Sequence, residues 1–325
     1  MTLPRIGVTL GDPGGVGPEV ALNSLLHSPD IANAAWILFG DSRLIGAEAR
    51  RLGLSPSPAP WSPDAPPRGG LFLNDIPAPG AGSVRGRDDR ANGEAAFRFF
   101  DAAVAAAREG RLEGLVTAPV SKTGWAMAGL PWRGHTEFLE HLYPGAVMSF
   151  WSGPLKVALL SHHLPLREAL GKVRKEALLA LLRTLNRSLS GLAGAPSEFL
   201  VAGLNPHAGE AGLLGIEERE EIGPAVAAAC REGIRAAGPF PPDTVFLRAR
   251  ERKEAMVVAM YHDQGLIAFK LEAFASGVNV TLGLPFVRTS PDHGTAFDIA
   301  GRGVADPRSM TEALNLALRL ASGRA

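Results

Sequence analysis

Short apolar runs alternate along this chain with longer amphipathic ones, and that alternation limits what it can fold into more than any other feature. RIGVTLG, WILFG, LFLND, GLVTAP, LKVALLSH, FLVAGLN, AMVVAMY and VNVTLGLP are predicted strands. An uncharged run such as AMVVAMY suits a strand covered on both faces, as in a parallel sheet. Between the runs, GEAAFRFFDAAVAAAREG, KEALLALLRTLNRSLSG, EEREEIGPAVAAACREGI and SMTEALNLALRLASG carry apolar residues at helical spacing. Strands interleaved with helices argue for an α/β fold over an all-β fold or a helical bundle. A proline-rich surface loop, SPSPAPWSPDAPPRGG, interrupts the pattern early.

With 325 residues the chain has enough apolar material for two domains or one large α/β unit. Lys plus Arg and Asp plus Glu balance at 33 each, so no basic excess points to nucleic acid and no charged tail is expected. The apolar stretches are too short or too interrupted to span a bilayer. MTLPRIGVTLG reads straight into a strand, unlike a signal peptide. Cys230 is the single cysteine, which excludes a disulfide framework and a cysteine-built zinc site within one chain. A cytoplasmic protein is the expectation.

The histidines carry the chemistry. LKVALLSHHLPLRE ends a strand at His162 and His163, FLVAGLNPHAGE ends another at His207, and AMVVAMYHDQG ends a third at His262. Open α/β sheets bind ligands beyond the carboxyl ends of their strands. Neutral imidazole is the commonest metal ligand, and three of them leave a coordination position open for water or substrate. Any one of these residues alone reads as an ordinary turn histidine; the recurrence is the signal. His27 at a helix end and His141 on a helix surface are assigned no function.

Other polar clusters are less specific. GVTLGDPGGVGPEV turns from a strand through several glycines into a helix, where backbone can approach an anion. It matches neither the dinucleotide fingerprint nor the P-loop, and a tight βα turn explains it equally. GLPFVRTSPDHGTAFDIAGRG gathers Arg288, Thr289, Ser290, Asp292, His293, Gly294 and Thr295, donors suited to a carboxylate, phosphate or nucleotide. Lys122 follows a strand, His135 and Thr136 precede a helix, and Lys270 lies in LIAFKLEA, which reads as strand-like.

GDPGGVGPE, TAPVSK, GHTEF, HHLPLRE, GLNPHAGE, PPDTVF, YHDQGL and GVNVTLGLPFVRTSPDHGTAFDIAG, in that order, resemble the 4-hydroxythreonine-4-phosphate dehydrogenase family of pyridoxal phosphate biosynthesis. GDPGGVGPE and HGTAFDIAG are more distantly similar to the isocitrate and isopropylmalate dehydrogenases. The resemblance implies two α/β domains with a cleft between them. The first would be built from residues 1–130 and 290–325, the second from 131–289 with the metal ligands and the interface of a homodimer. It implies a divalent metal on His163 and His207 of one subunit and His262 of the other. Zinc, cobalt, manganese and magnesium all suit such enzymes, and three imidazoles lean towards zinc or cobalt.

Substrate contacts carry over to His135, Thr136, Lys270, Asn279 and Arg288. Asp243 and Asp263 fall near the metal as candidate proton acceptors. NAD or NADP would lie against Asp292, His293, Gly294 and Thr295. His162 departs from the family pattern, which expects a small residue there. The reaction implied is oxidation of the secondary alcohol of 4-phosphooxy-L-threonine, a small phosphorylated hydroxy acid, followed by decarboxylation. Oxidation of threonate or erythronate 4-phosphate is the nearest alternative. A metal-dependent phosphohydrolase is a more remote one.

Overall fold

Branched and aromatic residues crowd the short runs, and such side chains fit a pleated surface packed on both faces. The computed structural model describes residues 3–192 and 194–323. Its contacts divide the chain into two units, Met1–Leu142 with Pro285–Ala325, and Tyr143–Leu284. The divisions fall at 142 and 285, where the expectation was 130 and 290. His135, Thr136 and Arg288 therefore belong to the first unit.

The first unit begins β1 (Arg5–Thr9), α1 (Gly17–Leu26), β2 (Ala35–Gly40), α2 (Ser42–Leu52), β3 (Ala59–Pro60) and β4 (Gly70–Asp75). It continues α3 (Arg90–Arg108), β5 (Gly114–Thr117), α4 (Lys122–Met127) and α5 (His135–Leu142). The second unit holds β6 (Val147–Trp151), β7 (Lys156–Leu159), α6 (Leu166–Leu170), α7 (Lys175–Leu189), β8 (Glu198–Ala202) and α8 (Gly223–Arg231). It closes with β9 (Ala236–Phe240), α9 (Val245–Arg250), β10 (Ala255–Ala259), α10 (His262–Ala273) and β11 (Val278–Leu282). The chain then returns to the first unit for β12 (Val287–Pro291) and α11 (Arg308–Ser322).

Strands of the first unit lie in the order β3-β4-β2-β1-β5-β12, and each neighbouring pair is parallel. Those of the second unit run β11-β6-β7-β10-β8-β9. There β7, β10, β8 and β9 are parallel, while β6 is antiparallel to both β7 and β11. All eight predicted strands form. β3, β6, β9 and β12 were not anticipated, and β12 places Arg288, Thr289 and Ser290 on a buried strand.

The core of the second unit gathers Val157, Leu200, Val257 and Phe269, all fully buried. Gly265 lets α10 sit close on β7, because a Cβ there would lie 2.8 Å from side-chain carbons of Val157 and Leu159. LIAFKLEA is helical, part of α10, so Lys270 stands on a helix and not on a strand. The reason is visible in the burial. Leu266, Phe269 and Ala273 face the core at helical spacing, while Ile267, Leu271 and Phe274 are also apolar but exposed. A helix apolar on both faces shows no clean 3.6-residue period.

Candidate active site

Hydrogen bonding sets β10 between β7 and β8, all three parallel. Their carboxyl ends therefore share one edge of the sheet, and the loops beyond them carry His163, His262 and His207. The rings of His163 and His262 have centroids 5.7 Å apart with 38° between their planes, a separation at which two imidazoles could share one ion. Among the described residues, no group of three His, Cys, Asp or Glu side chains in the single chain forms a cluster able to hold a metal. His207 thus does not join the other two within one chain. The His162 ring stands 5.2 Å from that of His163 and nearly perpendicular to it, so the doublet aims its members differently.

Backbone conformation sets two of these residues apart. His163 has φ 49° and His207 φ 52°, in the left-handed region that non-glycine residues avoid. Each such residue costs about 1–3 kcal/mol, and strain of this kind concentrates at functional sites. His262 opens α10, and its Nδ1 lies 2.6 Å from Asp263 Oδ1. With Nδ1–H donating to that carboxylate, Nε2 keeps its lone pair for a metal. Asp263 is thereby placed as the group that orients His262. Asp243 is exposed in the turn before α9. His163 and His262, with Asp263 against the ring of His262, fit part of the donor set of a divalent cation.

A second cluster lies in the first unit. Arg288, 3% exposed on β12, donates from Nη2 to Thr117 Oγ1 at 2.7 Å and to His135 Nδ1 at 3.4 Å. A guanidinium can only donate, so His135 Nδ1 accepts and the ring proton sits on Nε2. That Nε2 is buried and has no hydrogen-bond partner. The His135 ring packs 4.4 Å from Phe100 and 5.6 Å from Trp125, centroid to centroid. Burial, helped by Arg288, pushes the His135 pKa well below its ordinary value, so the imidazole stays neutral. Burial likewise pulls the Arg288 guanidinium down to about 9. A buried cation beside an unsatisfied N–H donor is stabilised by an incoming anion. Thr136 follows in the first turn of α5, half-buried. Lys270 on α10 and Asn279 on β11 are half-buried residues of the second unit.

The glycine turn resolves as structure. Val16 N donates to the Thr295 carbonyl at 2.9 Å, and a Cβ on Gly15 would meet that same oxygen at 2.8 Å. Thr295 thus fills the ground in front of the turn that an anion would need. Asp292 N donates to Ser309 Oγ at 3.0 Å. His293 Nδ1 pairs with the Gly294 carbonyl at 2.9 Å, its Nε2 is buried without a partner, and Gly294 faces open space. These last two residues leave a buried polar atom without a partner and a backbone that a ligand could approach closely, features compatible with a nucleotide at His293 and Gly294. His141 is exposed on α5 against Trp132, and His27 closes α1 through the Asn23 carbonyl.

Sequence reasoning passed over Thr117, Phe100, Trp125, Glu218 and Gln264. Gln264 was within reach, since it sits inside YHDQGL. Glu218 was hidden in EEREE, which reads as a solvated helix face.

Fold and site together define an α/β protein with imidazoles gathered at adjacent strand ends and a buried arginine–histidine pair. The chain belongs to the family described as pyridoxal phosphate biosynthetic protein PdxA, whose model matches residues 33–317. A 4-hydroxythreonine-4-phosphate dehydrogenase of Beijerinckia indica is 42% identical over 322 residues, covering 97% of this chain and 94% of the relative. The crystal structure of the enzyme of that name from Klebsiella pneumoniae is 37% identical, with a TM-score of 0.87 and 98% of each chain covered. A terephthalate 1,2-cis-dihydrodiol dehydrogenase from Burkholderia xenovorans LB400 has the same fold at 27% identity, with a TM-score of 0.70 and 98% of each chain covered.

Proposed function

We propose that this chain is an NAD(P)- and divalent-metal-dependent oxidoreductase of pyridoxal 5'-phosphate biosynthesis. It oxidises 4-phosphooxy-L-threonine to 2-amino-3-oxo-4-phosphooxybutanoate, which decarboxylates to 3-amino-2-oxopropyl phosphate. The observation that carries the reading is the delivery of His163, His207 and His262 by three adjacent parallel strands, in a chain of this family.

When bound, the metal supplies Lewis-acid polarisation of the alcohol and the nicotinamide takes the hydride. His163, His207 and His262 hold the metal, and Asp263 fixes the ring of His262. With Asp263 so engaged, Asp243 is the carboxylate assigned to accept the alcohol proton. Arg288, His135, Thr136, Lys270 and Asn279 hold the phosphate and carboxylate, so that binding energy remote from the reacting carbon orients it. His293 and Gly294, with Asp292 and Thr295, face the cofactor.

A homodimer with a shared site belongs to the same reading. The reading divides the centre as His163 and His207 from one copy and His262 from the other, whereas in one chain it is His163 and His262 whose rings lie together and His207 that stands apart. On α10, which begins with His262, Ile267, Leu271 and Phe274 form an apolar stripe at 64%, 86% and 78% exposure. Contiguous apolar surface of this kind marks an interface. No helix among the described residues is long and apolar enough to cross a membrane. The exposed free thiol of Cys230 suits the reducing cytoplasm.

The test is reduced-nicotinamide absorbance with 4-phosphooxy-L-threonine and NAD or NADP, before and after a chelator. Metal-dependent reduction is expected, and threonate and erythronate 4-phosphates run in parallel decide the substrate. His207→Ala should lose both metal and turnover. No reduction with any of the three substrates, together with released phosphate, would replace the dehydrogenase by a phosphohydrolase.

A further inference from the structure

His207 stands in a stretch of backbone that L-residues avoid. From His207 to Ala211 every φ is positive, between 45° and 82°, which makes a turn of left-handed helix. Each non-glycine residue in it costs roughly 1–2 kcal/mol relative to the right-handed form, so the surrounding structure must hold it.

Glu218 is placed to do so. The residue is 6% exposed. Its Oε1 accepts from the backbone N–H of Leu204 and of Asn205, both at 2.7 Å, and its Oε2 accepts from Asn205 Nδ2 at 2.9 Å. The same Asn205 amide donates to Glu217 Oε2 at 2.8 Å. A Cβ on Gly209 would lie 2.7 Å from Glu218 Oε2, so the turn is wrapped directly onto this carboxylate. A second tie comes from Gln264 in the first turn of α10. Its Nε2 donates to the Gly203 carbonyl at 2.8 Å, and its Oε1 accepts from Met260 N at 2.7 Å. Ser161 Oγ donates to the Met260 carbonyl at 2.9 Å. The three histidine-bearing loops are thus stitched to one another by side chains that are themselves not histidines.

We propose that Glu218, assisted by Gln264, is a positioning residue. It sets the left-handed turn that presents His207, and Gln264 ties the strand end before that turn to α10, before a metal arrives. The proposal rests on the tri-histidine reading above. The physical reason is that a turn left unheld would have to be ordered by the metal itself, at the expense of affinity; partners that orient metal ligands are commonly worth about 10–100-fold in binding.

Cobalt(II) titrated into metal-free protein and followed by its visible absorption tests this, on wild type, His207→Ala, Glu218→Gln and Gln264→Glu. Amide exchange across residues 203–212 and the thermal midpoint are measured on the same metal-free samples. Glu218→Gln preserves size and one acceptor but sets an NH2 group against Asn205 Nδ2. Gln264→Glu keeps the acceptor for Met260 N and turns the donor to Gly203 into a repulsion. The expected result is cobalt affinity weaker by about 10–100-fold in the brace variants, faster exchange across 203–212, a thermal midpoint near that of wild type, and kcat recovering at saturating cobalt. His207→Ala should not recover. Unchanged cobalt affinity and exchange in both brace variants, with wild type binding cobalt, overturns the positioning role and leaves the tri-histidine site standing. Failure of wild type to bind cobalt overturns that site and this inference with it. Should Glu218→Gln not fold, Gln264→Glu decides by the same two readouts.

Discussion

His135 shows how much a single side chain can carry. Its Nδ1 accepts from Arg288 and its Nε2–H is buried without an acceptor, so substrate phosphate or carboxylate would complete it. His135→Phe keeps the packing against Phe100 and Trp125 while deleting that donor. A hydrogen bond to a charged group is worth about 1.5–3 kcal/mol, so KM should rise by about 10–100-fold with the thermal midpoint little changed. A KM equal to wild type would remove His135 from the substrate site.

Asp12 belongs to the same scale but to stability. Burial, and to a lesser degree Asp88 and Asp89, push its carboxyl from 3.8 up to about 6. The native state therefore holds this proton more tightly than the unfolded chain does. Its stabilising effect is full below about pH 4 and is lost as pH rises through 6. At about 1.4 kcal/mol per pH unit the loss is roughly 3 kcal/mol. Asp12→Asn should raise the thermal midpoint relative to wild type at pH 7.5 and not at pH 4.5; calorimetry at both values decides it. Neither residue's burial could be read from its neighbours in the chain.

Among the elements, α10 joins most of what matters: His262 at its start, Gln264 and Gly265 in its first turn, Lys270 along it and an apolar stripe outside. Its misreading as a strand and its proposed role in dimerisation have one cause, since a helix apolar on two faces serves a core and a partner at once. Leu271→Asp places a charge where a single chain leaves the residue 86% exposed, so each folded chain should tolerate it. Sedimentation velocity should show the dimer dissociating, with turnover and tight metal binding lost together. A dimeric, fully active variant would place the interface elsewhere. The strands beginning at Ala35 and Ala255 were legible because their runs are uncharged and bounded by turns, and β1 because its one charge, Arg5, stands at the head of an apolar run. β9 was not, because AAGPF carries Gly and Pro, residues that argue against a strand.

For the molecule as a whole, a metal held only by the folded state must stabilise it. At free zinc near 100 times Kd the linkage amounts to about 2.7 kcal/mol. Chelation should lower the unfolding midpoint by several degrees, and zinc or cobalt should restore it; an unmoved midpoint would mean that the native chain holds no metal. The α/β class and the placing of histidines after strands were determined by the sequence alone, because both depend on periodicity and order over a few residues, which the chain carries locally. Only the tertiary structure decided that β10 lies between β7 and β8, so that three histidine loops share an edge. It alone brought Arg288 to His135 and Thr117, and Glu218 under the turn of His207. Such neighbours are chosen by how whole sheets bury their apolar faces, a long-range competition that leaves no mark in the spacing of adjacent residues.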